Sequence, residues 1–216
     1  MTPGLWYDCI VDIAHGVALM VARLGCTFVL LLALSSAASA QHGAGAPALR
    51  TVPSEAKQYA FLVGQFELAV KPAATGLAQR IHGVPKLIGT WKGWRALDGF
   101  GIEDELRITD ASGNPRALSH AVRYYDATSR HWIASAIDVY RGVFSASTAE
   151  WHDSAMTATS QGTDADGKPY ILRGTYSDIT PTTFRFRQDR STDGGRTWNE
   201  GVLTIDAKRV AGAASH

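Results

Sequence analysis

Cysteine is almost absent from this chain, and its two copies, Cys9 and Cys26, both lie near the N-terminus. Once a leader containing them is removed, no thiol remains for a disulfide bond or a Cys-x-x-Cys metal site. The rest of the chain must then be stabilised by its hydrophobic core alone. That is feasible, because a domain of about 150 residues buries roughly 70% of the surface that its unfolded chain exposes.

The sequence also lacks an apolar run long enough to span a bilayer. The apolar segment 24–34 has about 11 residues, whereas a span needs roughly 20. Arg23 precedes this segment and small residues follow it at 35–40, which is the order of a secretory signal peptide. We therefore predict a leader over 1–40, with cleavage near Ala40 and export to a periplasmic or extracellular location, without a membrane span in the mature chain. The true start is predicted at Met20, because residues 1–19 carry two Asp and no Lys or Arg.

An excess of charge of one sign is missing as well. Removal of the leader takes away one Arg and two Asp, which moves the net charge from +1 to about +2. A chain so close to neutral, without a local basic run, gives no electrostatic signature of a nucleic-acid partner. We predict none.

Helical periodicity ends after Gly64, and Gly, Pro, Asn and Asp turn signals then recur about every 11 to 15 residues. The segments between them resemble strands, and several alternate apolar and polar residues. We predict about ten strands, at 66–70, 89–97, 102–109, 118–125, 131–140, 143–151, 155–161, 170–176, 183–188 and 202–208.

Short connections leave no room for helical crossovers, so neighbouring strands must pair antiparallel. A sheet this wide curls, and closure removes its exposed edges. The fold class is therefore all-β, with an up-and-down, lipocalin-like barrel as first choice and a β-sandwich as second. The predicted domain covers 54–209 and opens with a short helix that Ser54 caps. A flexible linker over 41–53 and a disordered tail over 210–216 flank it.

Recognisable catalytic motifs are lacking. The sequence has no Gly-x-Ser-x-Gly elbow and no His-Glu-x-x-His. Glu103, Asp104 and Glu105 form the densest acidic cluster, but on a strand only Glu103 and Glu105 share a face, which favours a solvated sheet surface. The histidines lack the spacing of a metal site. We predict no catalytic residue, no metal and no cofactor.

One motif is complete: Ser191-Thr192-Asp193-Gly194-Gly195-Arg196-Thr197-Trp198 is similar to the Asp-box hairpin of sialidases and other β proteins. Ser191, Asp193, Gly195 and Trp198 are predicted to stabilise a hairpin, since Asp193 can accept hydrogen bonds from the turn and Trp198 can cover its base. A single copy in so short a chain argues against a six-bladed propeller. The same stretch partly matches a calcium loop, but the flanking strands and Arg196 do not fit an EF-hand.

Aromatic residues are spread along the strands, and most must belong to the core. Eight strands is about the size of barrel that side chains can fill, so ten strands leave space for a small molecule. The candidate ligand-binding residues are one charged anchor and its polar and aromatic neighbours: Arg123, His120, Tyr125, Trp132 and Trp94. Arg185 and Arg187 alternate with Phe184 and Phe186 and are expected to point outward.

Three segments carry a family resemblance: 61–66 (Phe-Leu-Val-Gly-Gln-Phe), 87–91 (Leu-Ile-Gly-Thr-Trp) and 193–198 (Asp-Gly-Gly-Arg-Thr-Trp). Together they resemble exported bacterial lipocalin-like, calycin-type β-barrel domains of unknown function. The resemblance implies a barrel that binds an apolar ligand, and it implies no catalytic residues. Gly89-Thr90-Trp91 is also similar to the opening of the haem-binding nitrobindin barrels, but this sequence has no histidine between His152 and His216 to act as their proximal ligand.

Three hypotheses for function follow. The first is non-catalytic binding of a small apolar or amphipathic molecule inside the barrel. The second is an enzyme with polar groups at the barrel mouth, for which the candidates are Glu103, Glu105, Arg123, His120 and His131. The third is a structural or partner-binding envelope protein that uses an exposed patch, with an oligomeric state that the sequence leaves open.

Overall fold

A computed structural model of the chain describes residues 51–74 and 77–211, without the side chain of Ala78. The predicted leader, most of the predicted linker and residues 212–216 of the predicted tail lie outside the described residues. The ten strands are β1 Gly64–Pro72, β2 Leu87–Ala96, β3 Gly101–Asp110, β4 Pro115–Asp126, β5 His131–Asp138, β6 Val143–His152, β7 Ala155–Thr163, β8 Pro169–Ser177, β9 Thr183–Ser191 and β10 Asn199–Arg209.

These strands form a closed antiparallel barrel in which each strand pairs with its neighbours in sequence and β1 closes the ring against β10. Phe66 of β1 lies opposite Trp91 on one side and opposite Arg209 on the other. The prediction of an all-β up-and-down barrel is therefore confirmed, and the sandwich is excluded. The short connections explain the topology, because a tight turn can join only adjacent antiparallel strands.

Strand alternation was the informative pattern in the sequence. In β1, Phe66, Leu68 and Val70 are buried while Glu67 and Lys71 are exposed, which is the period-2 pattern of a sheet with one dry face. Each of the ten predicted segments overlaps an observed strand. Most observed strands extend one to three residues beyond the predicted limits, because polar residues at strand ends continue the hydrogen-bonded ladder after the apolar pattern stops.

The helical elements differ from the prediction. Two 3-10 turns, Ser54–Lys57 and Ala60–Leu62, stand where one short helix was predicted, and a third, Leu97–Gly99, joins β2 to β3. Ser54 does not cap the first turn, since its hydroxyl bonds the carboxylate of Glu55 and Pro53 occupies the N-cap position. A six-residue helix, α1 Leu77–His82, lies in the β1–β2 connection and was missed. No helix in the described part of the chain is long and apolar enough to cross a membrane.

The barrel has two different ends. At the lower end the chain enters β1, and the two 3-10 turns of 54–62 lie against the interior, with Tyr59 and Leu62 almost fully buried. Gly93 allows this close approach, because a Cβ atom there would lie 2.3 Å from the carbonyl oxygen of Leu62. The β1–β2, β3–β4, β5–β6, β7–β8 and β9–β10 connections lie at the upper end.

Candidate functional site

The strand register shows which side chains face the barrel interior. Cross-strand partners share a face of a sheet. The row Phe66, Trp91, Leu106 and Ser119 therefore faces one side, and the burial of Phe66 and Trp91 identifies that side as the interior. Counting by twos along each strand from this row assigns the inward-facing residues of the whole barrel.

The lower half of the interior is filled by large side chains. They interlock through ring contacts: Tyr59 meets Trp132 edge-on at 4.7 Å, and Phe66 meets Phe184 edge-on at 5.0 Å. All of the following are at most 4% exposed: Tyr59, Leu62, Phe66, Trp91, Ile102, Trp132, Met156, Tyr176 and Phe184. These side chains form a packed core in this half of the barrel.

The upper half has a wall of small side chains instead. On the five consecutive strands β4 to β8, most inward positions above the aromatic core are Ala, Ser or Gly: Ala117, Ser119, Ala121, Ala134, Ala136, Ser145, Ser147, Ala149, Ala158, Ser160, Gly162 and Gly174. Larger residues face inward near the upper strand ends, at Asp138, Val143, Tyr170 and Leu172. Most of the small residues are half-buried, although they face inward. Solvent therefore reaches part of the inner surface of these strands, although Ala121, Ala149 and Gly174 are buried.

Larger residues complete this upper space on its other side. Leu172 of β8 and Leu203 of β10 face inward there, together with Gln188 and Arg190 of β9. Tyr170 lies flat across Gly162, where a Cβ atom would lie 2.6 Å from the tyrosine hydroxyl. We call the space between the small-residue wall and these residues the upper lumen.

The upper lumen follows from barrel size and side-chain size together. An eight-stranded barrel is just wide enough for its side chains to fill, and this barrel has ten strands. Large aromatic residues compensate for the extra width in the lower half, whereas Ala, Ser and Gly cannot do so in the upper half. The inward-facing side chains of β4 to β8 therefore fill less of the barrel in its upper half than in its lower half.

A buried ion pair forms the floor of the upper lumen. Arg123 of β4 faces inward, beside Ala134 on the next strand, and its guanidinium pairs with the carboxylate of Asp104 on β3. Asp104 also accepts a hydrogen bond from Trp91 Nε1 at 2.8 Å. Burial raises the pKa of the Tyr59 hydroxyl and that of Tyr176, while the nearby Arg123 opposes both shifts. Both tyrosines are therefore neutral beside a paired charge.

The predicted ligand-binding residues are divided among three environments. Arg123 lies at the floor, but Asp104 neutralises its charge. Trp132 is 1% exposed and packs against Tyr125 at 5.8 Å, so both belong to the lower core. Trp94 and His120 contact each other at 5.7 Å on the outer face, and they do not line the interior. The alternation of apolar and polar residues could not show which side chains face inward here, because β2 and β4 carry apolar residues on both of their faces.

The candidates for the enzyme hypothesis lie mostly outside the barrel. Glu103 and Glu105 face outward, as predicted, and Glu103 lies 3.5 Å from His120. His131 pairs with Glu150 at 3.2 Å, also on the outer face. Arg185 and Arg187 point outward as expected, toward Asp206 and Asp189. None of these pairs adjoins the upper lumen.

The β9–β10 hairpin is held by its own side chains. Asp193 accepts hydrogen bonds from the backbone N–H groups of Arg196 and Thr197 and from the Thr197 hydroxyl. These hydrogen bonds lower the Asp193 pKa to about 2, and those from Thr197 contribute most to the shift. The Ser191 hydroxyl accepts the N–H of Gly195, and Trp198 Nε1 donates to the Gly195 carbonyl. Every one of these contacts is internal to the hairpin.

Asp189, two residues before the hairpin motif, is fully buried. Its carboxylate accepts hydrogen bonds from Arg173, Arg187 and the N–H of Gly201. In the part of the chain that the structure describes, no group of three or more His, Cys, Asp or Glu side chains is placed to hold a metal ion.

Comparisons with known proteins give little further information. No protein-family model matches the sequence, and no curated protein matches it significantly. Among solved structures, a de novo designed fluorescence-activating β-barrel matches with a TM-score of 0.35 and 12% identity, over 73% of this chain and 99% of that one. EF1p2_mFAP2b bound to DFHBI matches with a TM-score of 0.37 and 12% identity, over 73% of this chain and 100% of that one. At TM-scores this low, neither match supports an inference about this chain.

Proposed function

We propose that this protein is an exported, non-catalytic binding protein that holds a small apolar or amphipathic molecule in the upper lumen. One observation carries the proposal: the largest inward-facing side chains of the lower half are almost fully buried, whereas most of the small inward-facing residues of β4 to β8 in the upper half are only half-buried. A barrel whose interior is less filled in its upper half suits reversible uptake of a small molecule there.

The chemistry of the wall supports an apolar cargo. Alanine methyl groups and the two leucines provide apolar contact, while the serine hydroxyls are small and can bond their own backbone. Transfer of a hydrocarbon chain from water to such a wall is favourable by about 0.8 kcal/mol per buried CH₂ group. The charged floor is already neutralised by the Asp104–Arg123 pair, so it does not require a charged ligand.

Filling the upper lumen is expected to abolish most of the binding. Ala134 and Ser147 face each other on the inner side of β5 and β6. The variant Ala134→Phe should weaken the binding of Nile red, a neutral apolar dye, by about 10-fold or more, since several apolar contacts are lost. Fluorescence titration of the purified domain measures the dissociation constant.

The matched control is Ala146→Phe, because Ala146 is exposed on the outer side of the same β5–β6 pair. It adds the same side chain to the barrel and should leave Nile red affinity within about twofold, as is usual for exposed positions. Far-ultraviolet circular dichroism of both variants checks that the barrel folds. Equal affinities for Ala134→Phe and the wild type would contradict binding inside the barrel.

Export makes a separate prediction about the N-terminus. Expressed in a bacterium with the whole leader, the secreted protein should begin at Gln41, and intact-mass spectrometry should show the loss of the leader. Replacing Ala38 and Ala40 by Leu removes the small residues that a signal peptidase requires and should leave the precursor uncut. Ser39→Leu is the control, since it alters only the residue between them. A full-length, uncleaved wild-type protein would count against export through this leader.

A further inference from the structure

Arg190 is the feature of the upper lumen that the proposed function does not yet use. It lies on β9 opposite Leu172 of β8 and faces inward. Its guanidinium stacks on the ring of Tyr170 at 4.3 Å from the ring centre. Its Nε atom is buried and has no hydrogen-bond partner.

The Arg190 side chain as a whole is 36% exposed, so other N–H groups of its guanidinium stay accessible while Nε lacks a partner within the protein. Five N–H groups in a planar fork match the two oxygens of a carboxylate. Stacking on Tyr170 fixes the plane of the fork and leaves its edge available. The arrangement is thus prepared for an anion that the protein itself does not supply.

The nearest acidic side chain satisfies Arg190 only weakly. Asp164 Oδ2 lies 3.8 Å from Arg190 Nη2, beyond hydrogen-bond distance. The other oxygen of Asp164 accepts the N–H groups of Asp166 and Lys168 in the β7–β8 turn. Asp164 Oδ1 is therefore held by its own turn, while Oδ2 is the oxygen that faces Arg190 without reaching hydrogen-bond distance.

Other charges that face the upper lumen are already paired. Asp110 bonds Arg116 and Asn114 at the top of β3, and Asp138 bonds Arg141 at the top of β5. Among the inward-facing residues of the upper lumen that the structure describes, Arg190 is the cation whose nearest carboxylate, that of Asp164, lies beyond hydrogen-bond distance.

We infer that the molecule held in the upper lumen is an anionic amphiphile whose carboxylate binds Arg190. This inference rests on the proposed function. Arg190 lies near the upper end of β9, and the small-residue wall extends from there toward the floor. The ligand's head group therefore sits beneath the mouth, and its apolar chain runs down toward Ala158 and Ala149. The inference also makes Arg190, and not Arg123, the anchor of the ligand's carboxylate, because Arg123 is already paired with Asp104.

Decanoate and decan-1-ol are suitable probes, because they differ in the head group and share the chain length. Displacement of Nile red measures the affinity of each. Wild-type protein should bind decanoate about 10-fold more tightly than decan-1-ol, and Arg190→Gln should remove this difference while leaving decan-1-ol within about twofold. Arg190→Lys keeps the charge without the fork and should recover part of the lost affinity.

Arg107→Gln is the matched control, since Arg107 is a half-exposed arginine on the outer face, 3.5 Å from Glu105. It removes the same charge and should leave decanoate affinity unchanged.

A second variant, Asp164→Asn, keeps the turn, because asparagine forms the same backbone bonds. It should tighten decanoate binding about two- to threefold by removing the competing carboxylate. This variant tests the inference even if Arg190→Gln does not fold.

The outcomes separate the two proposals. Equal affinity for decanoate and decan-1-ol, unchanged in Arg190→Gln, would overturn the role of Arg190 and leave binding in the lumen intact. Failure of both compounds and of Nile red to bind would overturn the lumen itself and the inference with it. A loss of decanoate affinity in Arg107→Gln equal to that in Arg190→Gln would show a general charge effect and would also overturn the anchor.

Discussion

The variant Asp104→Ala should lower the free energy of unfolding by about 3 to 5 kcal/mol, because it leaves the guanidinium of Arg123 buried without a counterion. Arg123 and Asp104 side chains are only 12% and 4% exposed. The same change removes the acceptor of Trp91 Nε1. Urea unfolding followed by tryptophan fluorescence would report the loss, since both Trp91 and Trp132 are buried in the core.

Glu105→Ala is the matched control for this prediction. Glu105 is the next residue along the same strand, so it faces outward, and its pair with Arg107 is exposed. Such pairs contribute about 0 to 1 kcal/mol. The double variant Asp104→Leu/Arg123→Met should recover much of the stability lost in Asp104→Ala, because apolar residues of similar volume can replace a buried pair. If Asp104→Ala were as mild as Glu105→Ala, the floor could not be a desolvated ion pair.

The second large effect is expected at the lower end, where Tyr59→Ala should destabilise the protein by about 3 to 5 kcal/mol, as large-to-small core substitutions of aromatic residues do. Tyr59 is 1% exposed and contacts Trp132, Tyr176 and Phe61. Its loss leaves a cavity between the 3-10 turns of 54–62 and the barrel. Solvent then reaches Trp132, so we also expect a red shift of the native tryptophan emission.

Tyr124→Ala is the control for this second prediction, because Tyr124 is 40% exposed on the outer face of β4. Substitutions at such positions usually change stability by less than about 0.5 kcal/mol. Thermal or urea unfolding of both variants, measured side by side, gives the comparison. Similar small losses for Tyr59→Ala and Tyr124→Ala would mean that the 54–62 segment does not close the barrel.

Together these tests compare the two halves of the barrel, of which the lower is expected to determine stability and the upper to determine binding. Stability is concentrated in the lower half, where aromatic rings and the Asp104–Arg123 pair fill the interior. The upper half adds the buried side chains of Leu68, Val70 and Ile108 on β1 and β3, but its wall on β4 to β8 consists mostly of small side chains, and the Nε atom of Arg190 is left without a partner. Variation of upper-lumen residues should therefore change binding more than folding, and variation of lower-core residues should do the reverse.

Some assignments were accessible from sequence because they depend on local pattern. Regular turn signals and period-2 alternation predicted ten antiparallel strands, and Phe184 and Phe186 correctly placed Arg185 and Arg187 on the outer face. Others were not accessible. Ala56, Tyr59 and Leu62 of the 54–62 segment are buried. Their packing against the barrel interior favours two 3-10 turns over a continuous helix.

The candidate site also contains features that the sequence could predict and features that it could not. Arg123 was selected as a charged residue that could face inward, and it does, but its partner Asp104 belonged to an acidic cluster that indicated a solvated face. Arg190 was not selected, because an arginine beside Asp189 and Ser191 at a strand end resembles a surface residue in one dimension. Its inward orientation follows only from pairing with Leu172.

By itself, the sequence determined the strand content, the antiparallel order and the all-β class, since these follow from backbone preferences and turn chemistry within about a dozen residues. The tertiary structure alone decided that aromatic residues from different strands meet in the lower half and small residues from five consecutive strands meet in the upper half. That distribution depends on the stagger between strands and on closure of β1 against β10. Both are properties of the whole ring, and no single segment encodes them.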